Sequence, residues 1–331
     1  MIRKVLVLDA FSGDGLSLLR SDPIVHVDES PPVPEDELVG LVPPYAAMIV
    51  RSQTKVTARV LEAGRSLRVV GRAGAGLDNI DVAEASRRGI TVLNTPSANT
   101  LAAAEHTFAL MLALARHVPA ADASVRAGVW TRSAFVGIEL HGKTLGVCGF
   151  GRIGREVASR ARAFGMRVLA CDPFVQDAEI RAEGCEPAEL GRLLAESDFL
   201  TLHLPSTAET RGIVSREVLA GARRGLRLVN TARGALVNEQ ALLEALDSGA
   251  VAGAALDVFA IEPPPPGPLL RHPKVVVTPH LGASTREAQA RVGVEIAGKV
   301  LEFLRSSEPR GPDRDAGGAV PPPAADSGCG A

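Results

Sequence analysis

This 331-residue chain has few aromatic residues and a small net charge. Its single Trp and single Tyr leave few flat rings on which bases or sugars could stack. The net charge is −2 and the basic residues are scattered, so no electrostatic footprint for nucleic acid or anionic lipid is present. We therefore expect a small molecule as the partner, with no nucleic acid and no membrane.

Long apolar runs and paired cysteines are also missing. No stretch approaches the roughly 18 apolar residues of a membrane span. The N-terminal MIRKVLVLDAF has a short apolar stretch that Asp9 interrupts, which is typical of a first β-strand and not of a signal peptide. The cysteines lack CxxC spacing and a disulfide framework, so we expect a cytoplasmic protein without a structural metal; they are Cys148, Cys171, Cys185 and Cys329.

Short β-branched runs that end at Gly, Pro or Asp recur along the chain. The first four are KVLVLDA, AAMIVR, LRVVGRAG and ITVLNTP, with helix-compatible segments at 57–64 and 82–89 between them. This alternation predicts a parallel sheet in a first lobe. An apolar-stripe helix from about Asn99 to Arg116, ended by Pro119, is expected to lead into a second lobe.

The second half of the chain repeats this alternation more regularly. Six strand candidates, TLGVCGF, MRVLACD, FLTLHLP, LRLVNTAR, VAGAALDVF and KVVVTPHLG, predict a six-stranded doubly wound sheet. A final helix is predicted from about Ser284 to Leu304. The last residues, 307–331, hold five Pro and five Gly and are predicted to be disordered. The sequence therefore predicts an α/β fold with two doubly wound lobes.

Residues 149–154 read GFGRIG, a dinucleotide-binding pattern that is weak alone and strong in this context. A strand candidate precedes it, an amphipathic helix follows, and Asp172 ends the next strand 18 residues after Gly154. Gly149 permits the tight turn, Gly151 lets a diphosphate approach the backbone, and Gly154 lets helix and strand pack closely. Asp172 would bind the ribose hydroxyls and repel a 2′-phosphate, so NAD is expected in preference to NADP.

A second glycine cluster, GRAGAG at residues 71–76, has the wrong spacing for a dinucleotide. It is either a substrate-side loop, in which Gly74, Ala75 and Gly76 offer backbone amides to an anion, or an ordinary turn after a strand.

Three polar residues follow strand candidates of the second lobe, where parallel strands line a ligand crevice. They are Arg233 after LVNTA, Glu262 after DVFAI and His280 after VVVTP. Oxidation of a hydroxy acid needs a base for the hydroxyl proton, a cation for the carboxylate and a group that tunes the base. Each residue alone has an ordinary explanation as a surface or salt-bridged side chain, but the set predicts this chemistry. Glu262 would favour the imidazolium form of His280.

The motifs together resemble the D-isomer-specific 2-hydroxyacid dehydrogenases over nearly the whole chain to about residue 306. The segments that carry the resemblance are VGRAGAGLDNID, NTPSANTLAAAEHT, GKTLGVCGFGRIGREVA, LVNTARGALVNEQAL, AGAALDVFAIEPP and TPHLGAST. It implies that Arg233 binds the carboxylate and carbonyl, that His280 is the acid/base, and that Glu262 hydrogen-bonds the imidazole. It also implies NAD contacts at Arg152, Ile153, Asp172, Thr231, Ala232, Asp257, Gly282 and Ala283.

The resemblance further implies a substrate lobe of residues 1–97 plus 284–306, with the NAD lobe, residues 98–283, inserted between them. It implies a homodimer joined through the cofactor lobes. A C-terminal regulatory domain that many members carry is not expected, nor is feedback inhibition by serine through one.

Three arginines, Arg51, Arg72 and Arg132, correspond to basic residues of members that act on 3-phosphoglycerate and 3-phosphohydroxypyruvate. They predict a phosphorylated 2-keto acid, unless they are ordinary surface arginines. Three alternatives stay open: a hydroxypyruvate or glyoxylate reductase, a dehydrogenase for a phosphonate, and an NAD-sensing interaction protein. A formate-type enzyme is disfavoured because such enzymes pair the histidine with Gln, whereas Glu262 stands here.

Overall fold

The computed structural model describes residues 2–306, and the tail predicted at 307–331 lies outside them. The strands are β1 Arg3–Leu8, β2 Val25–Ser30, β3 Ala47–Val50, β4 Val69–Arg72, β5 Thr91–Asn94, β6 Thr144–Cys148, β7 Arg167–Cys171, β8 Glu186–Pro187, β9 Phe199–Leu202, β10 Leu226–Asn230, β11 Val251–Leu256 and β12 Val275–Val277. The α-helices are α1 Gly13–Arg20, α2 Glu35–Leu41, α3 Ala58–Ala63, α4 Val82–Arg87, α5 Thr100–Arg116, α6 Val118–Arg126, α7 Arg152–Ala163, α8 Asp177–Ala182, α9 Leu190–Glu196, α10 Arg216–Ala220, α11 Glu239–Asp247, α12 Pro268–Arg271 and α13 Arg286–Ser306. Short 3₁₀ helices span Arg132–Phe135 and Gly234–Leu236.

The first lobe contains a parallel sheet in the order β2-β1-β3-β4-β5. The prediction of four strands was wrong, because β2 was missed. This strand, VHVDES, lies at the edge of the sheet, where only Val25 is buried. An edge strand with polar side chains lacks the apolar run by which the central strands are recognised.

Alternating residues of the central strands supply two cores for the first sheet. Val5 and Val7 point to the face covered by α1 and α13, where Ile296 and Val300 are buried. Leu6 and Leu8 belong to the opposite face, under α2, α3 and α4. Burial on both faces explains why these strands are almost continuously apolar.

The second lobe contains a parallel sheet in the order β12-β11-β10-β9-β6-β7-β8. It has seven strands and not the predicted six. The additional one, β8, has two residues and pairs with the end of β7 through Leu169 and Glu186. No periodicity can be detected over two residues, so this strand gave no sequence signal.

The long helix α5 is ended by a different residue from the one predicted. His117 adopts a left-handed conformation with φ 54° after Arg116 and closes the helix. Pro119 lies in the first turn of α6, where a residue without an amide hydrogen is tolerated. The prediction that Pro119 ends α5 was therefore wrong, although the end at Arg116 was correct.

The chain returns to the first lobe in α13, which packs on α1 and on the first sheet. Its apolar face, which has a four-residue spacing, is buried and consists of Ala288, Val292, Ile296 and Val300. The second sheet is thus inserted between parts of the first lobe, which confirms the predicted fold class. Within residues 2–306 no single helix is long and apolar enough to span a membrane, although the pair α5 and α6, bent by 63°, has sufficient length and composition together.

Candidate active site

A cleft of about 1220 Å³ separates the two sheets. The loops after β1, β3, β4 and β5 line it from the first lobe, and the loops after β6, β9, β10, β11 and β12 line it from the second. These are all carboxyl ends of parallel strands. In both sheets the strand order reverses near the cleft, between β1 and β3 and between β6 and β9. Ligands bind at such switch points in doubly wound folds.

The GFGRIG loop joins β6 to α7 on the second-lobe side of the cleft. Gly149 has φ 94°, and a Cβ there would lie 2.6 Å from the carbonyl oxygen of His203. Gly151 is the N-cap of α7, lines the cleft and has nothing within 4 Å of the position of a Cβ. At Gly154 a Cβ would collide with the carbonyl of Gly149. The loop therefore leaves an open approach to the N-terminus of α7, which fits a diphosphate. Arg152 and Ile153 also line the cleft.

Asp172 follows β7 and is tied to the glycine loop. Its Oδ2 accepts from the backbone N of Phe150 at 2.7 Å, and its Oδ1 accepts from that of Phe174 at 2.9 Å. Carboxylate oxygens accept more than one hydrogen bond each. The position fits the predicted interaction with ribose hydroxyls, beside the place where the diphosphate would lie.

His280 and Glu262 form a close pair in the cleft. His280 Nδ1 lies 2.7 Å from Glu262 Oε2, and Glu262 Oε1 accepts from the backbone N of Phe259 at 3.1 Å. The carboxylate requires the hydrogen on Nδ1, so Nε2 remains for a ligand. The backbone of His280 is left-handed, with φ 54°. A non-glycine residue in this conformation is held there by its surroundings.

Asp257 provides that support for the His280 loop. The side chain is fully buried, and its carboxylate accepts from the backbone N of Leu281 at 2.7 Å and of Gly282 at 2.9 Å. Thr278 Oγ1 at 2.5 Å and His106 Nε2 at 3.1 Å complete its partners. Burial alone would raise the pKa of Asp257, but the hydrogen bonds from His106, Thr278 and Leu281 lower it overall.

The predicted cofactor residues therefore divide into two groups. Thr231, Ala232, Gly282 and Ala283 line the cleft. The cleft lining does not include Gly149, Gly154, Asp172 or Asp257. The carboxylate of Asp257 is engaged behind the loop that carries His280, and that of Asp172 accepts from the amides of Phe150 and Phe174.

Arg233 follows β10 and faces the first lobe across the cleft. Its Nε donates to Asp78 Oδ2 at 2.8 Å, and its Nη1 donates to the carbonyl of Ala232 at 2.6 Å. Asn230, which is fully buried, shapes this turn by donating to the Arg233 carbonyl and accepting from the Ala232 amide. Arg233 and the His280–Glu262 pair thus line the same cleft.

Arg51 and Arg72 lie in the cleft near Arg233. Burial, the neighbouring Arg233 and then Arg51 lower the pKa of Arg72 to about 10. Arg72 Nη1 donates to the Ala73 carbonyl at 3.2 Å, whereas its buried Nε has no partner in the described residues. Such an unpaired buried donor among cations fits an anion that accepts from it.

The second glycine cluster makes room for these guanidinium groups. A Cβ on Gly74 would overlap the guanidinium of Arg72, and one on Gly76 would overlap that of Arg233. Ala75 lies between them, and all three residues line the cleft. Of the two interpretations of GRAGAG, the geometry favours the substrate-side loop.

Arg132 does not line the cleft of this chain. It lies in the 3₁₀ helix after α6, with its guanidinium 5.8 Å from the centre of the Trp130 ring. Trp130 is 72% exposed, and Arg132 is exposed as well. The predicted grouping of Arg132 with Arg51 and Arg72 is therefore not found within one chain.

Sequence reasoning missed three residues that shape the site: Asp9, Asp78 and Asn79. Asp9 accepts from the Arg51 amide and from Thr54 Oγ1, both at 2.6 Å. Asn79 Nδ2 donates to the carbonyls of Arg51 and Thr54 at 2.6 and 2.7 Å. Asp9 ends the first strand candidate and could have been found by the rule applied to Arg233. Asp78 and Asn79 follow GRAGAG after Leu77, but nothing local indicated their partners.

Two doubly wound lobes, a dinucleotide loop and a histidine–carboxylate pair in the cleft between them define a class, the two-lobed dinucleotide-dependent dehydrogenases. A sequence model described as the NAD-binding domain of the D-isomer-specific 2-hydroxyacid dehydrogenases matches residues 108–282. The chain belongs to this family.

Similar proteins agree with this membership. The D-3-phosphoglycerate dehydrogenase of Bacillus subtilis (strain 168) is 48% identical over 303 residues, which cover 91% of this chain and 57% of that protein. This chain thus spans about half the length of the curated relatives it matches. The structure of the TT0316 protein from Thermus thermophilus matches with a TM-score of 0.85 and 38% identity, covering 92% of this chain and 98% of that one. A glyoxylate reductase from Paecilomyes thermophila matches with a TM-score of 0.84 and 32% identity, covering 92% and 97%.

Proposed function

We propose that this protein transfers a hydride between NAD(H) and a D-2-hydroxy acid or its 2-keto form, most specifically 3-phosphoglycerate and 3-phosphohydroxypyruvate. The observation that carries the proposal is the arrangement of His280, Glu262 and Arg233 around one cleft that also contains the dinucleotide loop. In the direction of 3-phosphoglycerate oxidation this would be the first step of serine biosynthesis.

Each residue has a defined part in this reaction. NAD, when bound, supplies or accepts the hydride. His280 Nε2 takes the hydroxyl proton during oxidation and returns it to the carbonyl oxygen during reduction, while Nδ1 stays on Glu262. The negative charge of Glu262 stabilises the imidazolium that exists between these events. Arg233 binds the carboxylate, which is suited to the planar fork of a guanidinium.

The phosphate is assigned to Arg51 and Arg72. Arg51 follows β3, Arg72 is the last residue of β4, and both line the cleft. The pKa of Arg72 is lowered first by burial and then by the charges of Arg233 and Arg51, and a bound dianion would offset those charges. The B. subtilis relative is called a D-3-phosphoglycerate dehydrogenase, which supports a phosphorylated substrate for this chain as well.

The test compares kcat/KM for NADH oxidation with 3-phosphohydroxypyruvate, hydroxypyruvate, glyoxylate and a phosphonate keto acid. We expect a preference of a hundredfold or more for the phosphate ester, which corresponds to about 2.7 kcal/mol. Arg72→Ala should remove most of this preference, whereas the control Arg181→Ala, which changes an exposed arginine paired with Asp177, should keep it.

Other outcomes would assign the chain differently. Equal or higher activity with an unphosphorylated acid would indicate a hydroxypyruvate or glyoxylate reductase, and a preference for the phosphonate would indicate a phosphonate dehydrogenase. NADH binding without turnover of any keto acid would indicate an NAD-sensing protein.

We also propose a homodimer joined through the second lobes. Helix α6 has no buried residue, and a set of large apolar side chains between residues 118 and 136 is exposed: Val118, Val125, Val129, Trp130 and Val136. Such a concentration of apolar surface is typical of a protein interface. A second copy on this surface would also cover Arg132.

A cytoplasmic location is proposed from the cysteine chemistry. Cys148, Cys171 and Cys185 are free thiols, as expected in a reducing compartment. Cell fractionation that places the protein in a secreted or membrane fraction would contradict this location.

A further inference from the structure

We propose that Asp78 is a positioning residue that orients the guanidinium of Arg233 from the opposite lobe. The inference deepens the proposed function and rests on it, because it takes Arg233 as the anchor of the substrate carboxylate. In this proposal Asp78 does not contact the reacting atoms.

The contact crosses the cleft. Asp78 lies in the loop after β4 in the first lobe, and Arg233 follows β10 in the second. Their side chains meet at 2.8 Å although they are 155 residues apart in sequence. The side chain of Asp78 is 55% exposed and that of Arg233 is 30% exposed. An ion pair with this exposure contributes little to folding stability, so a structural reason for it is weak.

The geometry leaves one end of the guanidinium for a ligand. Nε is taken by Asp78, and Nη1 by the Ala232 carbonyl. Nη2 lies over Gly76, in the space that a Cβ would fill, and has no hydrogen-bond partner within residues 2–306. Because two of the three nitrogens already have acceptors, the plane of the guanidinium is set before a substrate arrives. Setting the orientation in advance is how a charged anchor contributes to turnover as well as to binding.

The negative charge of Asp78 indicates that this residue orients Arg233 and does not attract the substrate. Arg51, Arg72 and Arg233 lie together, and the carboxylate of Asp78 is close enough to oppose the lowering of the Arg72 pKa by its neighbours. A negative charge at this place repels an anionic substrate. Its benefit must therefore come from the geometry that it imposes on Arg233.

Two substitutions separate these effects. Asp78→Asn removes the charge and keeps a side-chain oxygen that accepts from Arg233 Nε, whereas Asp78→Ala removes both. If Asp78 orients Arg233, kcat falls about tenfold in Asp78→Ala and stays within about threefold of wild type in Asp78→Asn. Asp78→Glu should recover part of the loss. Asp177→Ala, which breaks an exposed ion pair with Arg181 outside the cleft, is the control and should change neither parameter.

A different pattern overturns the proposal. If Asp78 only competes with the substrate carboxylate, Asp78→Asn and Asp78→Ala lower KM equally and leave kcat unchanged. If its role is structural, the thermal unfolding midpoint and NADH affinity fall along with kcat. We expect both of these to remain at the wild-type values.

A binding experiment keeps this inference separate from the identity of the reaction. Oxalate, a small dicarboxylate, is titrated into the enzyme–NADH complex, and NADH fluorescence reports its binding. Arg233→Ala should abolish binding and Asp78→Ala should weaken it about tenfold, with Asp78→Asn close to wild type. If these results are obtained and no keto acid is turned over, the proposed function fails and the inference stands. Equal oxalate affinity in the wild type, Asp78→Ala and Asp78→Asn would refute the inference even if the enzyme is active.

Discussion

Single residues of the cleft depend on buried carboxylates that hold their backbones. Asp257 binds two amides after His280, and Asp9 binds the amide of Arg51. Asp9 and His280 both have left-handed backbones, with φ 64° and 54°. Backbones in this region are kept only where surrounding contacts determine them, and such positions concentrate at functional sites. The reactive side chains are therefore placed by residues that need not touch a substrate.

His280→Gln should lower kcat by about 10²- to 10⁴-fold, the usual contribution of a general acid/base. Glutamine cannot exchange a proton with the substrate oxygen, although it occupies a similar volume. Stopped-flow measurement of NADH oxidation gives the rate, and fluorescence titration should show unchanged NADH affinity. His26→Gln, at an exposed position, is the matched control. A rate equal to that of wild type would remove His280 from the mechanism.

His203 predicts a pH dependence of stability. Burial lowers its pKa to about 3 in the folded chain, whereas an unfolded histidine titrates near 6.5. Between these values the unfolded chain binds more protons, so this contribution to stability is present above about pH 6.5 and is lost as the pH falls through that window. His203→Gln should therefore reduce the pH dependence of the free energy of unfolding by up to about 1.4 kcal/mol per pH unit.

Urea unfolding of the two cofactor-free proteins at pH 7.5, 6.5 and 5.5 measures this difference. Other titrating groups contribute to both proteins and cancel in the comparison. Parallel stability curves would show that His203 accepts a proton as readily in the folded chain as in the unfolded one.

At the scale of elements, two glycines between β6 and α7 have different roles: Gly154 allows close packing, and Gly151 leaves room for a ligand. A Cβ at Gly154 would overlap the Gly149 carbonyl, whereas a Cβ at Gly151 would meet open space. Gly154→Ala should therefore lower both stability, by about 1–3 kcal/mol, and NADH affinity. Gly151→Ala should leave the unfolding midpoint unchanged and weaken NADH binding, because its methyl group would occupy the approach of the diphosphate.

Thermal unfolding and NADH titration of both variants test this contrast, and Gly191→Ala on α9, also with open space around its Cβ position, is a control. Full NADH affinity in Gly151→Ala would place the diphosphate elsewhere.

Elements were predictable where their residues are buried on regular faces. The central strands and α13 have apolar patterns that packing against two layers imposes. The strands β2 and β8 were not predictable, because one is polar at a sheet edge and the other has two residues. The end of α5 was located, but its cause, the left-handed His117, has no local signal in a histidine.

At the scale of the whole molecule, the exposed apolar side chains between residues 118 and 136 form the proposed dimer surface. Trp130→Glu should convert the proposed dimer to a monomer, because a charge at this position would have to be desolvated on association. Light scattering after size exclusion measures the mass. Val82→Glu, at a 41% exposed position in α4, is the control and should keep the dimer. A wild-type mass of a single chain at micromolar concentration would refute the dimer.

The sequence alone determined the alternation of strands and helices and the dinucleotide loop. It also singled out Arg233, Glu262 and His280, which line one cleft in the structure. These depend on short-range rules, because periodicity, glycine spacing and the position after a strand are properties of neighbouring residues.

Only the tertiary structure decided which side chains meet. In the structure Arg233 contacts Asp78, which is 155 residues away in sequence. Asp257 lies behind the His280 loop, and Arg132 does not line the cleft of its own chain. The physical reason is that a strand end can contact any loop brought to the same edge by the order of the sheet. That order follows from how the layers pack together, which no local segment of the sequence specifies.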